Sequence, residues 1–277
     1  MLPDDPQRSP NLVPVLLYHD VTRTPATRAF RRFVIPPTLF AEHLAALREA
    51  GYATGRVSEL SSTPRTQQVV FVTFDDGFAG IVEHALPALA GQGMTATLYL
   101  PSAFVGGRAA WLAPEGESGR LLLSWSDVQD AVASGFEIGS HGQRHLELDM
   151  LSSSRLQREL VGSKRVLEDK TSSAVGSLAY PFGYNDNRVR SATRAAGYGT
   201  ACEVGWGLHP RGRDSYRIRR FLVGPDVAGD RLAALLAEDR PTASQLVRRY
   251  SGPAWRLARR TRSSYASCQQ TRTRRHD

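Results

Sequence analysis

The sequence predicts a domain of parallel β/α units, and three observations lead there. Short apolar runs alternate with amphipathic stretches along most of the chain, the pattern that lays helices over a parallel sheet. Those runs are continuous rather than alternating, as in VVFVTF at residues 69–74, which marks strands covered on both faces. The chain has 277 residues, 41% of them hydrophobic. A chain of that length can bury about three quarters of its unfolded surface, so it needs no disulfide or structural metal to fold.

The elements follow in order. Residues 13–18 (VPVLLY) form a buried strand entered through a proline. Residues 38–50 form an amphipathic helix with Phe40, Leu44 and Leu47 on one face, ended by Gly51. The strand at 69–74 leads to a helix over 81–89, ended by Gly91, and to a third strand at 95–100. Ser124 or Ser126 caps a helix running to about Ala133, before Gly135 and a short strand at 136–139. A long helix at 152–170, a strand at 177–180, a helix at 186–196 and strands at 199–202 and 218–223 complete the series. About seven such units closing on themselves give a barrel; an open doubly wound sheet is the alternative. No glycine-rich phosphate loop follows a strand, which argues against nucleotide binding. Residues 101–123 are a long connection rich in Gly and Ala, either a functional lid or a disordered insertion.

Charge divides the chain. Residues 248–277 carry nine arginines and one acid, Asp277, whereas residues 1–247 carry 26 basic and 26 acidic residues. The net charge of +8 therefore belongs to the tail. The expected organisation is an N-terminal extension over 1–12, a catalytic domain over 13–247 and a basic, disordered tail over 248–277. The tail, with Trp255 and Leu257 among its arginines, is a candidate foothold on anionic membrane; nucleic acid binding is not expected, because the body has no excess of base. No apolar run approaches the ~20 residues of a membrane span, and the start lacks the pattern of a secretory signal. The chain as written is thus expected in the cytoplasm, or at the cell surface if a signal has been removed. Two cysteines, Cys202 and Cys268, form no CxxC pair, which excludes a cysteine-rich zinc module.

Four segments carry the chemistry. FVTFDDG at 71–77 puts two carboxylates, Asp75 and Asp76, where an apolar strand ends. Two adjacent like charges are costly to bury unless a cation or a proton divides their roles. EIGSHGQRH at 137–145 places His141 and His145 four apart. On a helical turn they would share a face and chelate one ion, and neutral imidazoles suit Zn, Fe, Co or Ni. Asp with two His makes a three-ligand site that leaves positions for water and substrate. LLYHDV at 16–21 brings His19 to a third strand end as a candidate proton donor. LAYPFGYN at 178–185 makes a rigid turn in which Tyr180, Pro181 and Phe182 could wall a sugar ring and a backbone N–H could bind an oxyanion.

TFDDG and SHxxxH, in that order and spacing, resemble the polysaccharide deacetylases of the NodB-homology group, carbohydrate esterase family 4. The resemblance runs from about Val13 to Val223. It implies a distorted (β/α)7 barrel and metal-dependent removal of N-acetyl groups from amino sugars. It further implies Asp75 as general base and Asp76, His141 and His145 as ligands of one divalent ion: zinc foremost, with cobalt, nickel, iron or manganese as alternatives. The early YH resembles the branch acting on extracellular poly-N-acetylglucosamine, where the acid histidine precedes the Asp-Asp motif, here His19. The backbone N–H of Phe182 matches the family's oxyanion donor. The family's RxPYG arginine, which orients the base, has no counterpart in AYPFG at 179–183. His209 is the rival for the acid. The competing activities are a carbohydrate O-acetyl esterase on the same site and a non-catalytic sugar-binding module.

Overall fold

The computed structural model describes residues 11–205 and 207–237; the basic tail, most of the N-terminal extension and Cys268 lie outside them. Seven parallel strands form the frame: β1 (Val15–Tyr18), β2 (Val69–Asp75), β3 (Thr97–Leu100), β4 (Glu137–Ser140), β5 (Ser177–Ala179), β6 (Thr200–Gly205) and β7 (Ile218–Leu222). Each strand pairs with the next in sequence, and β7 pairs with β1 through Phe221–Leu16 and Leu222–Leu17. The sheet is therefore a closed barrel rather than an open doubly wound one. Its closure is uneven. β1 and β2 share four residue pairs, whereas β4 and β5 meet only at Ser140 and Leu178. This is the distorted (β/α)7 barrel the motifs imply.

Among the described residues six helices surround it: α1 (Pro37–Glu49), α2 (Leu86–Ala90), α3 (Trp125–Ala133), α4 (Ser153–Thr171), α5 (Asn187–Ala195) and α6 (Gly229–Ala237). Of the two caps weighed for α3, Ser124 is the one used: its Oγ accepts from Asp127 N at 3.2 Å. The helix expected over 81–89 instead opens with a π-helical turn, Ile81–Ala85, and α2 begins afresh at Leu86. Pro87 explains the change, because it has no N–H to continue a helix and is tolerated only in a first turn. Pro14 likewise splits the first strand. Leu12–Val13 leaves the barrel and pairs antiparallel with His209–Pro210 at its N-terminal end.

Successive strand residues face opposite sides, and the packing follows that period. Val70, Val72 and Phe74 of β2 join the large cluster beneath the helices, whereas Val69 and Phe71 join a smaller one with Val15, Tyr99, Ala179, Cys202 and Ile218 inside the barrel. By the same alternation Asp75 of β2, Arg220 of β7 and His19 just beyond β1 are in phase with inward positions. The interior is tightly filled. A Cβ built on Gly139 of β4 would lie 2.5 Å from the Tyr99 ring, and Tyr99 is wholly buried. Gly139→Ala should therefore cost about 1–3 kcal/mol of stability through overpacking, read as a lower urea midpoint with an unchanged slope.

Candidate active site

Parallel barrels carry their chemistry at the C-terminal ends of the strands, and four strand ends converge there. Asp75 closes β2 and Asp76 follows it; His141 follows β4, His19 follows β1, and the Tyr180–Phe182 turn follows β5. The backbone marks the place independently. Non-glycine residues seldom adopt positive φ, and the four described that do are Asp76 (72°), His145 (53°), Phe182 (59°) and Ser172 at the end of α4 (52°). Three of the four lie at the convergence, where retained strain is a sign of function.

Asp76, His141 and His145 are buried, and one ligand atom from each lies within 4.8 Å of the others. Asp76 Oδ1 is 3.1 Å from His145 Nε2 and 3.5 Å from His141 Nε2, yet among the described residues it has no aligned hydrogen-bond donor. His141 Nδ1 is 2.8 Å from the Ala179 carbonyl; donating there leaves Nε2 as a lone pair aimed at Asp76. Burial pushes His141 down to about 4, with Asp75 only partly opposing it, so the ring is neutral at pH 7. Burial alone would raise Asp76, but the neighbouring His145, His19 and His141 hold it well below the usual carboxylate range. An orphaned carboxylate oxygen facing two imidazole nitrogens is a donor set that suits a divalent ion.

The histidine pair does not sit on a helical turn, contrary to the sequence expectation. His141 to His145 form a non-helical loop whose Gly142 (71°) and His145 both have positive φ. The loop is held from α4. Glu159 Oε2 accepts from Gln143 N (2.8 Å) and Arg144 N (3.0 Å), and Ser163 Oγ donates to the Gly142 carbonyl (2.9 Å). The His145 ring lies between Trp111, stacked at 4.8 Å, and Phe182, edge-on at 4.7 Å. Trp111 comes from the 101–123 connection, which is an ordered wall of the site rather than a disordered insertion.

Asp75 has a partner that the motif comparison did not supply. Arg220, fully buried, donates from Nη1 to Oδ1 at 2.6 Å and from Nη2 to Oδ2 at 2.7 Å. Its Nη1 also meets Thr73 Oγ1 at 3.2 Å. Burial would raise Asp75; Arg220 first, and His141 after it, hold it below its ordinary value. The AYPFG turn has no arginine, and the one that meets Asp75 comes from β7. Its sequence signal was an arginine at an inward-phase position of RIRRFL.

His19 lies among the same charges. Burial lowers its pKa, while Asp76 and Asp75 raise it. Its rival is elsewhere. His209 is paired with Val13, before β1 begins, and its charged neighbours are Arg213, Arg219 and Arg211. It therefore sits at the opposite end of the barrel. Tyr180 is not a wall for a sugar. It is completely buried and its hydroxyl donates to the Tyr216 carbonyl at 3.2 Å; Pro181 is buried too. Phe182 alone of the three is open, 48% exposed, with Tyr184 stacked beside it at 5.7 Å.

Residues 62–201 match the polysaccharide deacetylase family. The chain belongs to that family. It is 25% identical over 233 residues to YxkH of Bacillus subtilis (strain 168), which bears the name of a polysaccharide deacetylase, covering 82% of this chain and 77% of that one. Among solved structures, BC0361, a polysaccharide deacetylase from Bacillus cereus, is 25% identical with a TM-score of 0.69, covering 81% of this chain and 69% of that one. The fold is also that of IcaB from Ammonifex degensii (23% identity, TM-score 0.70, 82% and 98% covered). It is shared by the Streptococcus pyogenes deacetylase PplD, solved with acetate (19% identity, TM-score 0.69, 82% and 99% covered).

Breaking a buried ion pair by removing one partner costs about 3–5 kcal/mol, so Arg220→Met should destabilise the metal-free protein by that order at pH 7. The sign with pH follows from Asp75. In the native protein its lowered pKa adds stability above the unfolded value, and that stability is lost as pH falls. In the variant, burial without Arg220 raises it, so protonation relieves the penalty. Urea unfolding should show the deficit narrowing from pH 7 to pH 5; a constant deficit would contradict the pairing.

Proposed function

We propose that the protein hydrolyses the N-acetyl group of an amino sugar in a polysaccharide, glycolipid or glycoside, releasing acetate and a free amine. The observation that carries this reading is the adjacency of two differently committed carboxylates: Asp76 facing two imidazoles, and Asp75 locked to Arg220 with its charge preserved.

Asp76, His141 and His145 would hold the divalent ion. When bound, that ion polarises the acetyl carbonyl and makes water more acidic. The chain's residues do the rest. Asp75, kept ionised by Arg220, takes a proton from the attacking water. Phe182 N–H, on its positive-φ turn, donates to the developing oxyanion. His19 gives a proton to the leaving nitrogen. Burial keeps His19 uncharged at rest near pH 7, so it gains a proton during the cycle, and the proton Asp75 collects balances the one the amine receives. The Phe182 and Tyr184 rings offer an apolar face to the sugar. The nitrogen leaving group favours N- over O-deacetylation here, because an amine needs the donor that His19 supplies and an alcohol needs it less. The resemblance in the YH segment points to N-acetylglucosamine polymers as the substrate class.

His141→Ala should lower bound zinc from about one per chain to a small fraction and abolish acetate release from N-acetylglucosamine oligomers. Full occupancy and full activity in that variant would overturn the ligand assignment. Asp75→Asn should keep its zinc yet lose about 10²–10⁴ in rate. Loss of the metal in that variant would instead make Asp75 a ligand.

His19→Ala should slow N-deacetylation by about 10²-fold or more with little change in zinc affinity, while His209→Ala stays within a few-fold of the native rate. Steady-state acetate release on both variants decides between them, and the reverse ranking would move the acid to the other end of the barrel.

A further inference from the structure

The proton donor assigned above has little to hold it. His19 Nδ1 is buried without a hydrogen-bond partner among the described residues, and the ring packs against Phe33 at 4.6 Å. The backbone that carries it is firmly placed, and the next residue is anchored on several sides. Asp20 is 4% exposed. Its Oδ2 accepts from Arg120 Nη1 at 2.8 Å. Arg120 then donates from Nε to Glu117 Oε2 at 2.9 Å and from Nη2 to the Pro25 carbonyl at 3.2 Å, with its guanidinium 5.0 Å from the Phe30 ring. Burial pushes Asp20 up to about 6, and Arg120 is the chief group opposing that rise.

On its other side Asp20 has no slack. A Cβ built on Gly80, four residues past Asp76, would lie 2.5 Å from both Asp20 Oδ1 and the Val21 carbonyl. The backbone of Asp20 and Val21 is paired in parallel with Val34 and Ile35. Arg120 belongs to the 101–123 connection, which also stacks Trp111 on His145 and, at its base, donates from Ser102 N and Ala103 N to the Gly142 and Gln143 carbonyls (3.1 and 3.0 Å). One ordered loop thus touches both the ligand loop and the strand exit bearing His19. Alternation completes the geometry: His19 is in phase with inward Val15, so Asp20 is directed outward, toward Arg120.

We propose that Asp20 and Arg120 are a positioning pair for His19, the buried ion pair fixing the exit of β1 so that the imidazole is held over the metal-ligand cluster. The proposal rests on His19 being the proton donor. It assigns a function to the long connection: a strut between donor and ligands, rather than a lid that opens.

The experiment uses the full-length, zinc-loaded protein and three variants: Arg120→Met, Arg120→Lys and His19→Ala. Two probes are compared, an N-acetylglucosamine oligomer and 4-nitrophenyl acetate. The phenolate leaves without protonation, so losing the donor lowers the amide rate and spares the ester rate. Arg120→Met should lower the amide-to-ester ratio of kcat about 10-fold or more, with KM and bound zinc within about two-fold of native. Arg120→Lys should recover much of it, because the ammonium still pairs with Asp20. A general loosening would lower both rates together and leave the ratio unchanged. Hydrogen–deuterium exchange provides a readout independent of turnover. Peptides covering 16–24 should exchange faster in Arg120→Met, while those covering 69–77 and 137–146 stay as in the native protein. Unchanged exchange at 16–24, or an unchanged ratio beside a lowered ratio in His19→Ala, would overturn the positioning role. An unchanged ratio in His19→Ala as well would overturn the donor assignment, and this proposal with it.

Discussion

A fully buried arginine inside a β-barrel is tolerable only if its charge is met at close range, and the Arg220–Asp75 pair is where that condition is satisfied. Two parallel bonds at 2.6 and 2.7 Å use the planar fork of guanidinium against carboxylate. Desolvating both ions is expensive, so the pair adds little stability over an apolar core of the same volume. What it supplies is a carboxylate that stays ionised where burial would otherwise protonate it. The surroundings are arranged to serve it. Thr73 Oγ donates to the Leu16 carbonyl and accepts from Arg220, and the guanidinium lies 5.4 Å from the centre of the Tyr99 ring. Tyr99 in turn shares a 2.6 Å hydrogen bond with Ser177. Strands β1, β2, β3, β5 and β7 thus contribute to holding one ionised carboxylate.

The three proposed ligands are supported differently. They sit on turns at strand ends, not on strands, and two of the three adopt positive φ. A strand would send adjacent residues to opposite faces. The left-handed turn at Asp76 and Gly77 instead lets two consecutive carboxylates serve one cavity, and Gly77 (φ 69°) could not carry a side chain without meeting Leu100 at 2.6 Å. The loop from His141 to His145 is held by backbone hydrogen bonds to Glu159 and Ser163, both on α4. The helix layer therefore supports the loop of His141 and His145, while the barrel interior supports Asp75.

That division explains what was legible in the sequence. Strands and helices were readable because each has its own apolar period, and the two motifs were readable because their residues are close in sequence. Arg220 was not found, although the alternation of RIRRFL puts it in phase with Ile218. An arginine in an apolar strand is ordinarily an outward, solvated one, and its partner lies 145 residues away. Glu159 and Trp111 were missed for the same reason: each acts through a contact with a loop far off in sequence. The error at Tyr180 is of another kind. Aromatic residues in a turn after a strand can face the cavity or the core, and Tyr180 joins the core beneath the helices, where its hydroxyl meets the Tyr216 carbonyl.

Charge counting ties the site to its chemistry. Arg220 neutralises Asp75, so Asp76 is the single uncompensated carboxylate among the assigned base and ligand residues. Metal-binding imidazoles are neutral, and a divalent ion held by Asp76, His141 and His145 would leave the cluster at +1. A neutral acetamide gains little from that excess, whereas a tetrahedral intermediate with one negative oxygen gains much. Preferential stabilisation of developing charge is what lowers a barrier. Without Arg220 the second carboxylate would bring the cluster to zero and remove the preference. In the proposed mechanism the β7 arginine therefore does two things at once: it keeps the base ionised, and it keeps the base's charge from cancelling the field that the oxyanion meets.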